Sequence, residues 1–292
     1  MLMRFSHVFT YVLHAKVREV DASHLKVEKF NNHVIYFITE VDFALLAMTN
    51  GDILYFMDEK SATLAFSNST GVGPKSFQRL LKIFGSAIKA WENTSAEKYK
   101  EAGIGERNFI KFESFKKSFS ISEYSERLKK AKVEFIPFGD KYYPASIAQI
   151  DAPPIGLYVK GNKELLLGKN NIGVVGARKI TSYGQKVTEN LVTELCLAGF
   201  TIVSGMAAGV DARAHKAAID SNGKTIAVLG CGVDCAYPKE NERLYEEILD
   251  SKNLVISEYP LGMPANAGTF PARNRIVSGL SLAVLITEAA ED

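Results

Sequence analysis

The sequence predicts an α/β fold whose main body, residues 138–292, is a parallel sheet with helices on both faces. Three observations carry this. From residue 171 onward, short apolar runs ("NIGVVG", "FTIVSG", "TIAVLG", "NLVISE", "SLAVLITE") alternate with helical segments. Strands that are apolar throughout must be covered on both faces, which a parallel sheet between helices provides. Between residues 58 and 137 the apolar spacing becomes helical around two glycine pairs, and residues 1–57 are rich in β-branched and aromatic residues.

In the first segment, "LKVEKF" and "HVIYFITE" read as strands with "NNH" as their turn. "FALLAMTNG" reads as a short helix and "ILYFM" as another strand. A small barrel of the oligonucleotide-binding type and a plain structural extension both fit, and the extension is preferred.

In the second segment, "TGVGPKSFQRLLKIFGSAIKAW" brackets Val72 between Gly71 and Gly73, with Pro74 next. Phe77, Leu80, Leu81 and Phe84 then recur at helical spacing. "AGIGERNFIKF" is a second, poorer copy. The two resemble helix-hairpin-helix units, in which glycines let backbone N–H groups approach a phosphate at the next helix's N-terminus. Lys75 would lie beside that phosphate. The alternative is an ordinary helical hairpin whose glycines only make the turn.

A linker with Pro144, Pro153 and Pro154 leads to an expected edge strand, Gly156–Lys160. Beyond it, "SYGQKVTENLVTELCLAG" places Val187, Leu191, Leu195 and Ala198 on one helical face, with Gly199 as stop. "DARAHKAAIDSNG" and "PARNRIVSGL" are further helices, and "YPKENERLYEEILD" is a helix expected to begin at its proline.

The net charge of the 292 residues is +2, so polyanion binding cannot be argued from the total. Its distribution is uneven: residues 58–137 carry 15 Lys/Arg against 10 Asp/Glu, an excess that hints at a polyanion. Cys196, Cys231 and Cys235 lack the partners of a zinc site and read as thiols in a reducing compartment. The start "MLMRFSHVFTYVLHAKV" is too short and interrupted for a membrane span or signal peptide, so a cytoplasmic protein is expected.

In open parallel sheets, ligands bind beyond the carboxyl ends of the strands. Those ends carry Gly176-Ala177-Arg178-Lys179, then Ser204-Gly205 running to Gly209-Val210-Asp211, then Gly230-Cys231-Gly232, Ser257-Glu258-Tyr259 and Thr287-Glu288. Phe270 and Arg273 follow on the loop after the fourth strand. Glycines, hydroxyls and arginines at one edge suit a phosphate. Gly205 and Gly209 are expected where backbone must approach ligand or turn with positive φ, and Gly209→Val is expected to harm binding more than stability. No G-x-G-x-x-G follows the first strand and no G-x-x-x-x-G-K-[ST] occurs, which argues against dinucleotide cofactors and P-loop hydrolysis; no cofactor is expected. His215 reads as a core or capping residue, and Asp211 as a cap of its own helix.

"GVVGARKITSYG", "IVSGMAAGVDARAHKAAI", "TIAVLGCGVDCAYPKEN", "VISEYPLG" and "FPARNRIVSGLS" occur in this order. Together they closely resemble the DNA-processing protein A family (DprA, or Smf), over roughly residues 57–292. The resemblance implies a Rossmann-like domain that binds single-stranded DNA, preceded by a SAM-like helix-hairpin-helix domain. It implies homodimerisation and delivery of incoming strands to the recombinase RecA in natural transformation. It assigns Arg178 to phosphate, Ser204, Gly205, Gly209 and Asp211 to a glycine loop, and Phe270, Arg273 and Asn274 to an element whose aromatic stacks on a base. Residues 1–57 do not align with the family. The chain ends at "ITEAAED", where the family continues, which argues against dimerisation by this chain.

Arg273 and Arg275 are two residues apart and diverge by about 200° on a helix. Arg273 is expected outward in the ligand groove, and Arg275 inward on loop carbonyls or Glu288. The leading function is a non-catalytic single-strand DNA-binding protein. The rival is a nucleotide-binding or nucleoside monophosphate-hydrolysing enzyme using Glu258 and Glu288, although the P-G-G-x-G-T-x-x-E signature of such enzymes is absent.

Overall fold

The computed structural model describes the backbone of residues 25–30, 33–38, 45–49 and 52–56 and the whole of residues 57–289. The chain divides into two compact units, Met1–Ala62 and Thr63–Asp292, so that the basic helical segment and the main sheet share one unit.

In the first unit, β1 (Leu25–Phe30) pairs antiparallel with β2 (His33–Ile38), and β3 (Leu45–Thr49) with β4 (Asp52–Phe56). The expected turn at Asn31 and Asn32 lies outside the described residues, as does the N-terminal stretch weighed as a membrane span. The helix expected at "FALLAMTNG" is instead β3, with Leu45 opposite Phe56 and Thr49 opposite Asp52. Asn50-Gly51, between the two strands in sequence, is the dipeptide most favourable to a two-residue hairpin, and it outweighs five residues of weak helical pattern.

A run of helices begins just before the division and continues through the second unit: α1 (Glu59–Asn68), α2 (Pro74–Phe84), α3 (Ala87–Glu92), α4 (Ala96–Glu101), α5 (Glu106–Ser118) and α6 (Ile121–Ala131). Pro74 occupies the first turn of α2, where its missing N–H costs nothing. Ser86, Ser95 and Ser120 cap α3, α4 and α6 by accepting the N–H groups of Lys89, Lys98 and Glu123. The helices close on a shared aromatic core. Phe66 lies 5.1 Å from Phe77 and 5.2 Å from Phe112, with Trp91 edge-on to both Phe66 and Phe112. Tyr158 of the sheet ties this core down through its hydroxyl, 2.7 Å from Ser67 Oγ and 2.8 Å from Asn68 Nδ2.

The sheet elements follow: β5 (Glu134–Pro137), α7 (Ala145–Ala148), β6 (Gly156–Gly161), β7 (Asn171–Val175), α8 (Ser182–Leu197), β8 (Thr201–Ser204), α9 (Val210–Asp220), β9 (Lys224–Val228), α10 (Glu242–Asp250), β10 (Leu254–Ser257), α11 (Thr269–Leu280) and β11 (Ala283–Ile286). Among the described residues, seven strands form this sheet in the order β11-β7-β8-β9-β10-β6-β5. The run from β11 to β10 is parallel, while β6 is antiparallel to both β10 and β5. The sheet is therefore mixed, and β6 is internal rather than an edge. Pro153 and Pro154 end before β6 begins, so it keeps its full set of N–H donors; the proline in a strand is Pro137, on the true edge β5.

One face packs Val203, Ile226, Val228 and Ile256 under α7 and α11; the other packs Val174 and Ile202 under α8 and α9. The face of α8 agrees with expectation only in part: Leu195 packs against the core. Gly184, Thr188 and Val192 are buried, while Leu191 is 41% exposed and Ala198 is also exposed. The cause lies in the polar end of β11. Thr188 Oγ1 lies 2.7 Å from Thr287 Oγ1, and the Glu288 carboxylate fills the space where a Gly184 side chain would be. The helix α10 begins at Glu242 rather than Pro238. Residues Lys239–Asn241 form a separate 3₁₀ turn, held by the Asn241 amide on Met206 O at 2.9 Å.

Candidate nucleic-acid interface

The carboxyl ends of the parallel strands form an edge with a buried floor and an open rim. In the floor, Ser204 Oγ donates to Val174 O at 2.6 Å. Asp211 Oδ2 accepts the N–H groups of Gly205 at 3.1 Å and Ala207 at 3.3 Å. Arg273 donates to the carbonyls of Gly205 and Val228 and, through Nε, to Asn274 Oδ1 at 3.2 Å.

Four expectations change here. Arg273 points inward and is 4% exposed. Its position explains this: Arg273, Ile276, Val277 and Leu280 fall at the spacing of one helical face, and that face of α11 is the buried one. Ser204 is fully buried, so its hydroxyl serves the sheet. Asp211 does not cap α9, whose N-cap is Gly209; it fastens the loop that precedes the helix. Gly209, at φ +83°, faces the protein: a Cβ there would overlap the carbonyl oxygens of Ala177 and Arg178. A Cβ on Gly205 would likewise overlap the Arg273 guanidinium. Gly209 is required by packing between loops, while Gly205 makes room for the guanidinium that α11 delivers.

Electrostatics follow burial. Desolvation raises the Asp211 carboxyl above its usual range, opposed by Arg273 and by the N–H groups of Ala207 and Gly205. Desolvation lowers the Arg273 guanidinium, opposed by Asp211. His215, fully buried with Nδ1 2.7 Å from Thr225 Oγ1, is pulled down to about 3 by burial and by the charge of Arg273. The reading of His215 as a core residue holds.

The rim holds Arg178, Phe270 and Asn274, together with Tyr237. Arg178 is exposed and has no ion pair among the described residues; its guanidinium carbon stands 5.5 Å over the Phe270 ring. Tyr237 packs beside Phe270 at 5.5 Å. Two adjoining clefts open here. One of about 400 Å³ is lined by Arg178, Asp211, Phe270, Arg273 and Asn274, and one of about 540 Å³ by Arg178, Tyr237, Asn266, Phe270 and Asn274. Sequence reasoning missed Tyr237. Its signal was an aromatic on the loop leaving the third parallel strand, just before Pro238.

Arg275 bonds a loop carbonyl as expected, Ala152 O at 2.9 Å, but its carboxylate partner is Glu258, at 2.5 and 2.6 Å. Glu258 directly follows β10, the strand that leads into α11, whereas Glu288 accepts the Thr181 N–H at 3.0 Å at the start of α8. Both carboxylates proposed for a hydrolase are thus engaged in holding loops. Lys75 is ion-paired with Asp151 and lines neither cleft.

A mixed α/β sheet with a cation-and-aromatic rim at its strand ends is a Rossmann-like architecture. The model of the family described as DNA recombination-mediator protein A matches residues 134–292, and the chain belongs to that family. It is 38% identical over 234 residues to Protein Smf of Synechocystis sp., covering 79% of this chain and 58% of that protein. It is 42% identical over 154 residues to the DNA processing protein DprA of Streptococcus pneumoniae, covering 51% and 52%. The chain spans about half the length of the curated relatives it matches. The X-ray structure of DNA processing protein A from Streptococcus pneumoniae aligns with a TM-score of 0.65 at 31% identity, covering 77% of each chain.

Proposed function

We propose that the chain binds single-stranded DNA along the rim, as a non-catalytic DNA-processing protein. It would protect incoming strands and deliver them to RecA in the cytoplasm during natural transformation and recombination. One observation carries the reading: an exposed Arg178, without an ion pair among the described residues, lies over Phe270 at the strand ends, beside a half-exposed Tyr237. A cation for the backbone beside aromatic rings for the bases is the combination that sequence-tolerant single-strand binding uses. These residues all come from one chain, so one protomer suffices for the contact. Lys75, on its separate helical turn, would add a phosphate contact only after releasing Asp151.

Titration with a labelled oligothymidylate across salt concentrations tests this. Arg178→Ala should flatten the slope of log affinity against log salt by about 0.7, the share of one phosphate on a single strand. Phe270→Ala should weaken binding by on the order of 1–3 kcal/mol with the slope kept. Binding of duplex as tight as of single strand, or no binding of either, would sink the proposal. RecA delivery is tested separately by whether the chain shortens the lag in RecA's ATP hydrolysis on single strands.

A further inference from the structure

The two rim aromatics are not equally available. The Phe270 ring is covered by Arg178 at 5.5 Å. Its edge packs against Gly230, where an added Cβ would lie 3.0 Å from Phe270 Cδ1. A base that stacks on the face Arg178 occupies must first displace the guanidinium. Tyr237 is 47% exposed and its hydroxyl has no hydrogen-bond partner among the described residues. It faces the cleft of about 540 Å³ that Asn266 and Asn274 also line.

The loop beneath Tyr237 is held at both ends. Before it, the Cys235 N–H donates to Gly232 O at 2.9 Å and Cys231 Sγ donates to Cys235 O at 3.0 Å. After it, the Asn241 N–H donates to Pro238 O at 2.9 Å and the Asn241 amide to Met206 O at 2.9 Å. A ring on so constrained a loop loses little freedom when a ligand stacks on it.

Building on the single-strand reading of the rim, we propose that Tyr237 is a base-binding residue and the first ring that a base meets. Arg178 then turns from Phe270 to the strand's phosphate, and the uncovered Phe270 takes the neighbouring base. Stacking uses the base's face, which every base has, so this step favours no particular base.

The test compares a labelled oligothymidylate with a fully abasic strand of the same length, on the parent chain, Tyr237→Ala and Tyr237→Phe. Tyr237→Ala should lose about tenfold in affinity for the oligothymidylate. It should match the parent on the abasic strand and keep the parent's salt slope. Tyr237→Phe should bind as the parent does. Parent-like binding of oligothymidylate by Tyr237→Ala, while Arg178→Ala still binds weakly, overturns the proposal and leaves the single-strand reading standing. Equal loss on both strands assigns Tyr237 to holding the loop and also overturns it. A parent chain that binds neither strand removes the single-strand reading, and the role of Tyr237 falls with it.

Discussion

Arg178 and Arg273 line the same cleft, yet one is exposed over an aromatic ring and the other is 4% exposed among backbone carbonyls. The two belong to different regions of one edge. The floor, made of Ser204, Gly205, Gly209, Asp211 and Arg273, spends its polar atoms on internal bonds. The rim, made of Arg178, Tyr237, Phe270 and Asn274, leaves its polar and aromatic surface open to solvent in part or in full. A motif rich in glycine and arginine can thus build a strand-end edge in which only part of the motif faces outward. Whether a cation faces ligand or protein is decided by the acceptors around it, and the strand ends supply Arg273 with two carbonyls and a carboxylate.

The largest test of this division is Arg273→Ala. It strands the buried Asp211 carboxylate without its cation and leaves two carbonyls unpaired. A loss of about 3–5 kcal/mol in denaturant-induced unfolding is expected. A variant of parental stability that merely binds DNA poorly would move Arg273 to the rim.

Gly209→Val comes next. It forces a β-branched residue to φ +83° and drives its side chain into the Ala177 and Arg178 carbonyls. A stability loss of about 2–3 kcal/mol is expected from the strain and displacement together, outweighing any change specific to binding. A parental melting temperature with lost binding would restore the ligand-facing reading of this glycine.

His215 reports on the floor through pH. Its ring takes a proton near pH 6.5 when unfolded but only near about 3 when folded. Between those values the unfolded state binds more protons, so this contribution is complete above pH 6.5 and is lost as pH falls. The slope should reach at most about 1.4 kcal/mol per pH unit. The difference between the parent and His215→Gln, followed from pH 7 to pH 5, isolates it from the carboxylates. A flat difference would mean the imidazole protonates within the fold.

Arg178→Ala should do least to the fold. An exposed side chain without an ion pair among the described residues should shift stability by no more than about 0.5 kcal/mol. A larger loss would join rim and floor into one structural unit.

The alternation of apolar runs with helices was enough to determine the α/β class, because strands covered on both faces have no polar alternation to hide. The order of glycine turns along the edge was equally legible, since each directly follows a strand. Lone short strands were not: β3 could be read as a helix because a five-residue segment carries too little period to decide, and pairing with β4 settled it. The internal place of β6 depended on which strands flank it, which no local pattern records. Arg273 and Arg275 show the same limit at the site. The sequence by itself determined that they diverge on one helix, but the outward place expected for Arg273 was wrong, because Arg273 shares the buried face of α11 with Ile276, Val277 and Leu280. Only the tertiary structure decided the partners, because Gly205, Val228, Ala152 and Glu258 are brought to α11 by four separate loops and strands. Tyr237 meets Phe270 for the same reason: hydrophobic periodicity governs which face of an element is buried, whereas contacts between strand-end loops depend on the order of strands in the sheet.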